Sequence, residues 1–472
     1  MIDVLLIHAP ISFENRDTPL GDQTSNPPIG LLYIASYLEK EGFNVKVIDP
    51  VPQGLSLKKV INEIKKYKPK IIGISAVTFG TRSAVEIAKK IKENFGNKIP
   101  IGLGGMHISC DPDFIKRYPY FDFGVIGEGE EVMAKLTKKA IEKKKIKGIY
   151  EAQIIKNLDD LPFPARHLVN PSNYYPPHGK KTGKPVATMI SSRGCPYRCT
   201  FCSQPKNRAA YRIRSGKNIV DEMEKIYDYC DGKYSFVCDT MTMYKQKTID
   251  MCNEIIKRKL KVKWLANTRV NLVDEELIAK MAEAGCTDLF FGVESGNSHI
   301  RNDVVHKNIT DRQIETAMKL CWKYKIQSNI YMMLGFPTET KKEIEDSITY
   351  PTKIGADVMG IHITWPQPGS PLYDEAIRDK IIPKTVVDDY VQGKYGESVT
   401  AYWPVYVPKG LELRDLVEAK KRAYRKFYLR PAWLIRRLQW YFKTPEKFFS
   451  DFGEIGAVLS ALFTGATGSV ES

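Results

Sequence analysis

The sequence predicts an α/β chain. A doubly wound, Rossmann-like parallel sheet comes first, then a partial (β/α)6 barrel of TIM type, then a helical C-terminal region. Three observations predict it. Over residues 1–145, short β-branched runs alternate with longer stretches of helical apolar spacing. The same alternation returns over 186–374, after a Pro- and Gly-rich connection at 146–185. From 375 to 472 the pattern becomes irregular, then helical, basic and aromatic.

In the first region the predicted strands are DVLLIH (3–8), VKVID (45–49), IIGISA (71–76), IGLGG (101–105) and FGVIG (123–127). They are apolar on both faces, so both faces of the sheet must be covered by helices such as LLYIASYLEKEG and LKKVINEIKKYK. Ligands of such a sheet bind at the carboxyl ends of its strands. The first strand runs into HAPISFEN with no G-x-G-x-x-G turn, which argues against NAD or FAD. The connection 146–185 is expected to hold one helical turn at Pro164–Val169.

The second region offers six strands: VATMIS, YSFVCD, VKWLANT, DLFFGVE, SNIYMML and MGIHIT. Six strand–helix units fall short of the eight that close a full barrel, and their site should also lie at the strand carboxyl ends.

Composition bounds the setting. The 472 residues are 43% hydrophobic and 27% charged, as in ordinary globular proteins. No signal peptide and no apolar run long enough to span a bilayer is visible, so a cytoplasmic location is expected. Of nine cysteines, six stand singly, as buried thiols do in a reducing compartment. The net charge is +16. Between Lys409 and Lys447 there are twelve Lys or Arg against four Asp or Glu, a net of +8, which is half the excess. The segment 420–452 mixes these with Trp, Tyr and Phe. Such a segment can be a helical cap on the barrel, an interfacial membrane element or a nucleic-acid surface. The run FGEIGAVLSALFTG (452–465) is too short to cross a bilayer but apolar enough to enter its interface. No RNA-binding module follows the barrel, so nucleic acid is not expected.

The remaining three cysteines, Cys195, Cys199 and Cys202, stand as C-x3-C-x2-C directly after the strand VATMIS. Thiolates are soft ligands for iron–sulfur clusters, zinc or Cu(I). A structural zinc site needs a fourth ligand, for which the distant His178 is a candidate. A [4Fe–4S] cluster held by three thiolates leaves one iron open to a substrate or cofactor.

The spacing, with Phe201 before the last cysteine and a strand ahead of the loop, resembles the radical S-adenosylmethionine (SAM) family. The resemblance implies that Cys195, Cys199 and Cys202 hold the cluster and that the open iron binds SAM. Reductive cleavage of SAM would then give a 5′-deoxyadenosyl radical. The later strand ends CDTMT, NTRVN, FGVESG and MLGFPTET resemble the SAM-contacting tips of that barrel. On that basis Phe201, Asp239, Arg269, Glu294, Ser295, Gly335 and Pro337 are expected at SAM. Arg269 and Glu294 can alternatively pair with each other across the barrel mouth.

In the first region, residues 24–49 and the tips GISAVTF, GGMHIS and GEGEE resemble the cobalamin-binding domain fused to one class of radical SAM enzymes. That resemblance implies cobalamin contacts at Ser75, Thr78, Phe79, Gly104, Gly105, His107, Gly127, Glu128 and Gly129. The D-x-H-x-x-G motif that supplies a histidine to cobalt elsewhere is absent. Val77, Thr78 or Phe79 is expected nearest the lower face. A domain that has lost its ligand is the alternative.

Together the two likenesses imply a cobalamin-dependent radical SAM enzyme that methylates an unactivated carbon, with an external one-electron reductant of ferredoxin or flavodoxin type. KFYLRP tails like that at 426–431 accompany family members acting on lipids and tetrapyrroles, so an apolar or amphiphilic substrate is expected. Radical cyclisation or oxidative ring closure with the same cofactors is the second reading. A non-catalytic sensor is the third, and the full set of strand tips argues against it.

Overall fold

The computed structural model describes residues 1–13, 17–18, 21–22, 26–174, 185–203, 211–395 and 406–443. His178 and the run 452–465 lie outside the described residues. The chain forms two compact units. The first comprises 1–185, 206–212 and 384–400, and the second the remainder.

The first unit is built on six parallel strands: β1 (Val4–His8), β2 (Val45–Ile48), β3 (Ile71–Ser75), β4 (Ile101–Gly104), β5 (Phe123–Ile126) and β6 (Gly148–Glu151). Their spatial order is β2-β1-β3-β4-β5-β6. Helices α1 (Ile29–Lys40), α2 (Leu57–Tyr67), α3 (Thr81–Phe95) and α6 (Gly129–Ile141) alternate with them, and two short helices, α4 (Met106–Cys110) and α5 (Phe114–Arg117), follow β4. Val4, Leu6, Val45, Val47, Ile71, Phe123 and Val125 pack with α1 and α6 in one buried cluster. The chain leaves β1 toward β2, then returns to β3 on the other side. The ligand crevice of such a sheet opens at this reversal. Here it is flanked by His8 and Ser75, paired across β1 and β3.

Two departures from the sequence reading concern this unit. The stretch read as a connection opens with β6, which extends the sheet. Its side chains are only part-buried or exposed, so it carries no continuous apolar run to announce it. The helical turn expected at 164–169 is present at Arg166–Leu168. Residues 384–400, read as part of the C-terminal region, group with the first unit. Tyr390 there donates to the Phe79 carbonyl at 2.7 Å.

The second unit carries the six predicted strands as β7 (Ala187–Met189), β8 (Lys233–Phe236), β9 (Lys263–Thr268), β10 (Cys286–Glu294), β11 (Gln327–Leu334) and β12 (Val358–Ile363). All are parallel and lie in sequence order, an open arc. Helices α7 (Gly216–Lys225), α8 (Lys245–Lys257), α9 (Glu275–Glu283), α10 (Asp311–Lys323) and α11 (Lys341–Lys353) cover the outer face. Capping boxes at Thr310–Gln313 and Thr340–Glu343 start α10 and α11. Alternate strand residues, including Tyr234, Trp264, Phe291, Met332 and Ile361, are buried against these helices.

Two helices of the basic, aromatic tail, α12 (Leu413–Tyr428) and α13 (Pro431–Lys443), follow. The Tyr428 hydroxyl accepts from Met359 N–H at 3.1 Å and donates to its carbonyl at 2.8 Å, and Tyr424 accepts from Ile361 N–H at 3.5 Å. These are groups of the edge strand β12. Buried Asp357 accepts from Arg436 Nε (2.6 Å), Trp440 Nε1 (2.8 Å) and, through its carbonyl, Trp433 Nε1 (2.9 Å). The described part of the tail thus packs on the barrel edge, as the cap reading expects.

Candidate active site

In the first unit the tips of β3 and β4 are shaped by Gly105. Its φ is +95°, and a Cβ there would lie 2.7 Å from the Ala76 carbonyl oxygen and 2.9 Å from Ser75 Oγ. Only glycine fits both constraints. A Cβ on Gly104, in contrast, would meet nothing nearer than 3.9 Å among the described residues. Ser75 and Thr78 are half-buried and Gly127 is exposed. The Gly127 N–H donates to Ser109 Oγ, which donates to the Gly105 carbonyl, both at 3.1 Å. This chain fixes the β4 and β5 tips together.

Several residues expected at cobalamin are engaged by the protein itself. His107 is fully buried, 4.6 Å edge-on from the Phe114 ring, with Nδ1 3.3 Å from Thr78 Oγ1. Burial outweighs the nearby Asp111 carboxylate and holds its pKa down to about 4, so the ring is neutral. It braces Thr78 and offers no surface of its own. Phe79 is buried too, edge-on to Tyr390 at 6.2 Å. Of Val77, Thr78 and Phe79, Val77 is the exposed one, at 48%. Glu128 is clamped by Arg212 at 2.6 and 3.0 Å and by Ile155 N–H at 3.1 Å. Gly129 begins α6 where a Cβ would press on Ile34 at 2.9 Å.

The sequence reading left out a cluster at the β1 tip. His8 Nδ1 lies 3.0 Å from Asp49 Oδ1, and Tyr174 donates to Asp49 Oδ2 at 2.9 Å. Burial works against the charged ring, but the Asp49 carboxylate prevails and raises the His8 pKa. Tyr174 comes from the stretch read as a connection, which gave no signal for this contact.

In the second unit the cysteine loop leaves β7 through Gly194, whose φ is +86°. None of the three thiols is in a disulfide. Cys199 is buried, whereas Cys195 and Cys202 are half-buried. The loop is pinned at Thr200. Its N–H and Oγ1 donate to the Val305 and Val304 carbonyls at 3.1 and 3.0 Å, and its carbonyl accepts from Leu372 N–H at 2.9 Å. Phe201 rests on Phe336, centroids 6.0 Å apart, beside Ile300 and Val305.

Burial pushes the Cys195 thiol up, helped by the Asp239 carboxylate and Cys199 and opposed by hydrogen bonds from the Tyr197 backbone and Thr240. The tip of β8 therefore lies beside Cys195. Asp239 is itself raised by burial. Arg269, at the tip of β9, stacks on the Tyr197 ring at 3.6 Å and reaches Cys199 Sγ at 3.9 Å. It also donates to the Lys307 carbonyl and to Asn271 Oδ1.

The alternative pairing of Arg269 with Glu294 does not form. Glu294 Oε1 pairs with Lys307 Nζ at 2.7 Å, both side chains 8% exposed. A Cβ on Gly292 would lie 2.3 Å from the Glu294 oxygen and 2.6 Å from the Lys307 nitrogen, so that glycine makes room for the pair. Lys307 sits in a loop with no motif around it, which is why sequence reading missed it. Ser295 is fully buried, 3.0 Å from Ser347 Oγ and accepting from Asn297 N–H at 3.1 Å. Its hydroxyl locks the β10 tip and has no exposed face.

At the tip of β11, Gly335 has φ +88°, and a Cβ would lie 2.9 Å from Leu416. Gly335 and Phe336 N–H groups donate to Glu339 Oε2 at 2.6 and 3.0 Å, and Pro337 is buried beside them. Burial pushes Glu339 up to about 7, and its Oε1 has no hydrogen-bond partner among the described residues.

The donor set bears on what the loop can hold. Among the described residues no three His, Cys, Asp or Glu side chains close round a single ion. A four-iron cube puts each thiolate on a different iron, so its ligands need not converge on one point. Three soft donors in one loop, with a cation beside Cys199, suit such a cluster.

Two family models match the chain: the B12 binding domain over residues 23–137 and the Radical SAM superfamily over 189–350. An uncharacterized methyltransferase of Pyrococcus horikoshii is 30% identical over 88% of this chain and 90% of its own length. An anaerobic magnesium-protoporphyrin IX monomethyl ester cyclase of Cereibacter sphaeroides is 30% identical over 86% of this chain and 68% of its own. The radical SAM methyltransferase TsrM of Kitasatospora setae, solved with cobalamin and a [4Fe–4S] cluster, has the same fold: TM-score 0.61, 18% identity, 80% of this chain and 78% of that one. With both domain matches and a relative aligned along nearly its whole length, the chain belongs to the cobalamin-binding radical SAM enzymes.

Proposed function

We propose that the chain methylates an unactivated carbon of an apolar or amphiphilic substrate. The observation that carries this is the pinned three-thiol loop, with Arg269 at Cys199 and no single-ion site among the described residues. Cys195, Cys199 and Cys202 would hold the cluster. Asp239, Arg269, Glu294 and the Gly335–Pro337 turn would surround SAM, and Ser75, Val77, Thr78 and Gly104 would face the corrin. When bound, the cluster and SAM supply a hydrogen-abstracting radical and the cobalamin supplies a methyl group. The protein's part is positional. Lys307 holds Glu294 and Arg269 at once, Glu339 fixes the β11 turn, and the Gly105–Ser109–Gly127 chain keeps the other crevice rigid. An external ferredoxin- or flavodoxin-like reductant completes the system.

Anaerobic reconstitution should give about four irons per chain. Cys195→Ala, Cys199→Ala and Cys202→Ala should each abolish SAM cleavage, and retained cleavage in any one ends this reading. The cyclase relative favours one alternative, ring closure without methyl transfer. SAM labelled in its methyl group separates the two, since label reaches the product only in methylation.

A peripheral membrane contact has its own support. On α13, Leu434, Ile435, Leu438 and Phe442 are 52–87% exposed and spaced on one helical face. Arg425 and Lys426 are exposed nearby in sequence. The stripe would rest on an anionic membrane surface. Sedimentation with anionic vesicles tests this: equal partitioning of wild type and the Leu434→Ser/Leu438→Ser/Phe442→Ser variant removes it.

A further inference from the structure

The tips of β1 and β2 meet in a hydrogen-bond chain that ends at an accessible imidazole. The two strands pair in register through Ile7 and Ile48, so His8 and Asp49 follow side by side. Asp49 is 2% exposed. Gln53 closes its turn, donating N–H to the Asp49 carbonyl at 3.2 Å while its Oε1 accepts from Asp49 N–H at 3.3 Å. One carboxylate oxygen accepts from the Tyr174 hydroxyl at 2.9 Å, and the other faces His8 Nδ1 at 3.0 Å. A carboxylate only accepts, so Nδ1 carries a proton. The chain therefore fixes both the ring's orientation and the nitrogen it turns inward.

The opposite edge of the ring is open. The His8 side chain is 35% exposed. With Nδ1 turned to a buried carboxylate, the accessible edge is the one that carries Nε2. Among the described residues Asp49 is the ring's one polar partner. The backbone sets where that edge opens. Ala9 N–H donates to the Ser75 carbonyl at 2.9 Å, and a Cβ on Gly80 would lie 2.9 Å from the Ala9 carbonyl oxygen. The exit of β1 is thus packed against the end of β3 and the start of α3. This is the reversal of strand order, where such sheets take their ligands. Helices α1 and α3 begin on this side of the sheet with no acidic residue in their first turns, so their positive ends favour an anion. The Asp49 carboxylate also raises the pKa of the ring against burial, which favours an N–H at Nε2 over a bare lone pair. An N–H suits an anionic oxygen, whereas a lone pair is what a metal needs.

We propose that His8 donates from Nε2 to the phosphodiester of cobalamin's nucleotide arm, with Asp49 and Tyr174 as positioning residues. Cobalamin is a broad, flat corrin with amide side arms and one longer arm, whose phosphodiester is its only anionic side group. The flat ring suits the glycine-shaped tips of β3 and β4. The long arm is slender enough to enter the crevice beyond β1 and β3, and its phosphodiester is the group a cationic donor selects. The inference adds a residue to the cobalamin-binding reading and rests on it.

The test uses the full chain with its cluster reconstituted anaerobically, and three corrinoids. These are cobalamin, cobinamide phosphate, which ends at the phosphate, and cobinamide, which lacks it. Equilibrium dialysis with corrin absorbance gives each Kd. Wild type should bind the two phosphate-bearing corrinoids about tenfold tighter than cobinamide. His8→Ala should weaken those two about tenfold and leave cobinamide within about twofold, so cobinamide also reports that the crevice is folded. Tyr174→Phe, which removes nothing from the ligand's side, should weaken the same two about threefold. The phosphorus NMR resonance of bound cobalamin should move in His8→Ala. Unchanged affinity in His8→Ala overturns the proposal, as does an equal loss for all three corrinoids or a loss for cobalamin alone. So does nitrogen superhyperfine splitting in the electron paramagnetic resonance of bound cob(II)inamide that His8→Ala abolishes, because it would put the ring on the metal. A wild type that takes up no corrinoid brings down the cobalamin reading and this inference with it, whereas uptake without discrimination sinks the inference alone.

Discussion

The Arg269 guanidinium lies 3.6 Å from the centre of the Tyr197 ring. Tyr197 sits within the cysteine loop and Arg269 at the end of β9. One planar cation thus joins the loop to the sheet, stacking on the ring while a second nitrogen reaches Cys199. Lysine keeps the charge but neither the plane nor the fork. Arg269→Lys should therefore retain iron at first but lose it to a chelator about tenfold faster than wild type. Iron release under anaerobic chelation checks this, and equal rates would count against it.

Glu294 and Lys307 form a buried pair above Gly292. Removing one partner leaves an uncompensated charge, at a cost of about 3–5 kcal/mol. Glu294→Gln should lower the melting temperature by about 6–12 °C. The double variant Glu294→Gln/Lys307→Met should recover most of that loss, as read in thermal unfolding.

Glu339 gives a pH dependence. Its carboxyl is raised from an ordinary 4.5 to about 7 in the folded chain. A raised carboxyl binds its proton more tightly folded than unfolded. Its contribution to stability is therefore full below about 4.5, falls as pH rises toward 7, and is gone above that. The total change is about 3 kcal/mol. Glu339→Gln should remove this loss, so its stability relative to wild type should climb between about pH 5 and 7. Urea midpoints of both proteins across that range provide the measurement.

Gly104 and Gly105 should respond differently to alanine. Gly105→Ala meets both a positive φ and a 2.7 Å contact, so the first unit should lose about 2–3 kcal/mol. Gly104→Ala meets nothing nearer than 3.9 Å among the described residues, so its melting point should stay unchanged while corrin retention falls. Corrin absorbance after gel filtration, set beside thermal unfolding, distinguishes the pair.

Much of this was readable in advance because the signals were local. Continuous β-branched runs marked eleven of the twelve strands of the two sheets, and three thiols in eight residues marked the loop. β6 escaped because a half-exposed edge strand needs no continuous apolar run. Lys307, Glu339 and Tyr174 escaped because each acts through a contact set by tertiary packing, from a loop, turn or connection. The same packing turned Ser295, Phe79 and His107 inward. Their positions at strand tips were readable, but the direction of a side chain depends on neighbours that arrive from elsewhere in the chain.

Tyr424 and Tyr428 occupy the outer hydrogen-bonding groups of β12. An open arc of parallel strands otherwise ends in a row of vacant donors and acceptors, a template for another copy of itself. The aromatic tail is thus a guard against self-association as much as a lid on the barrel. An enzyme cut short before residue 413 would fail first as a precipitate, with its cysteine loop intact. Only a variant that keeps both tyrosines can report what the rest of the tail does.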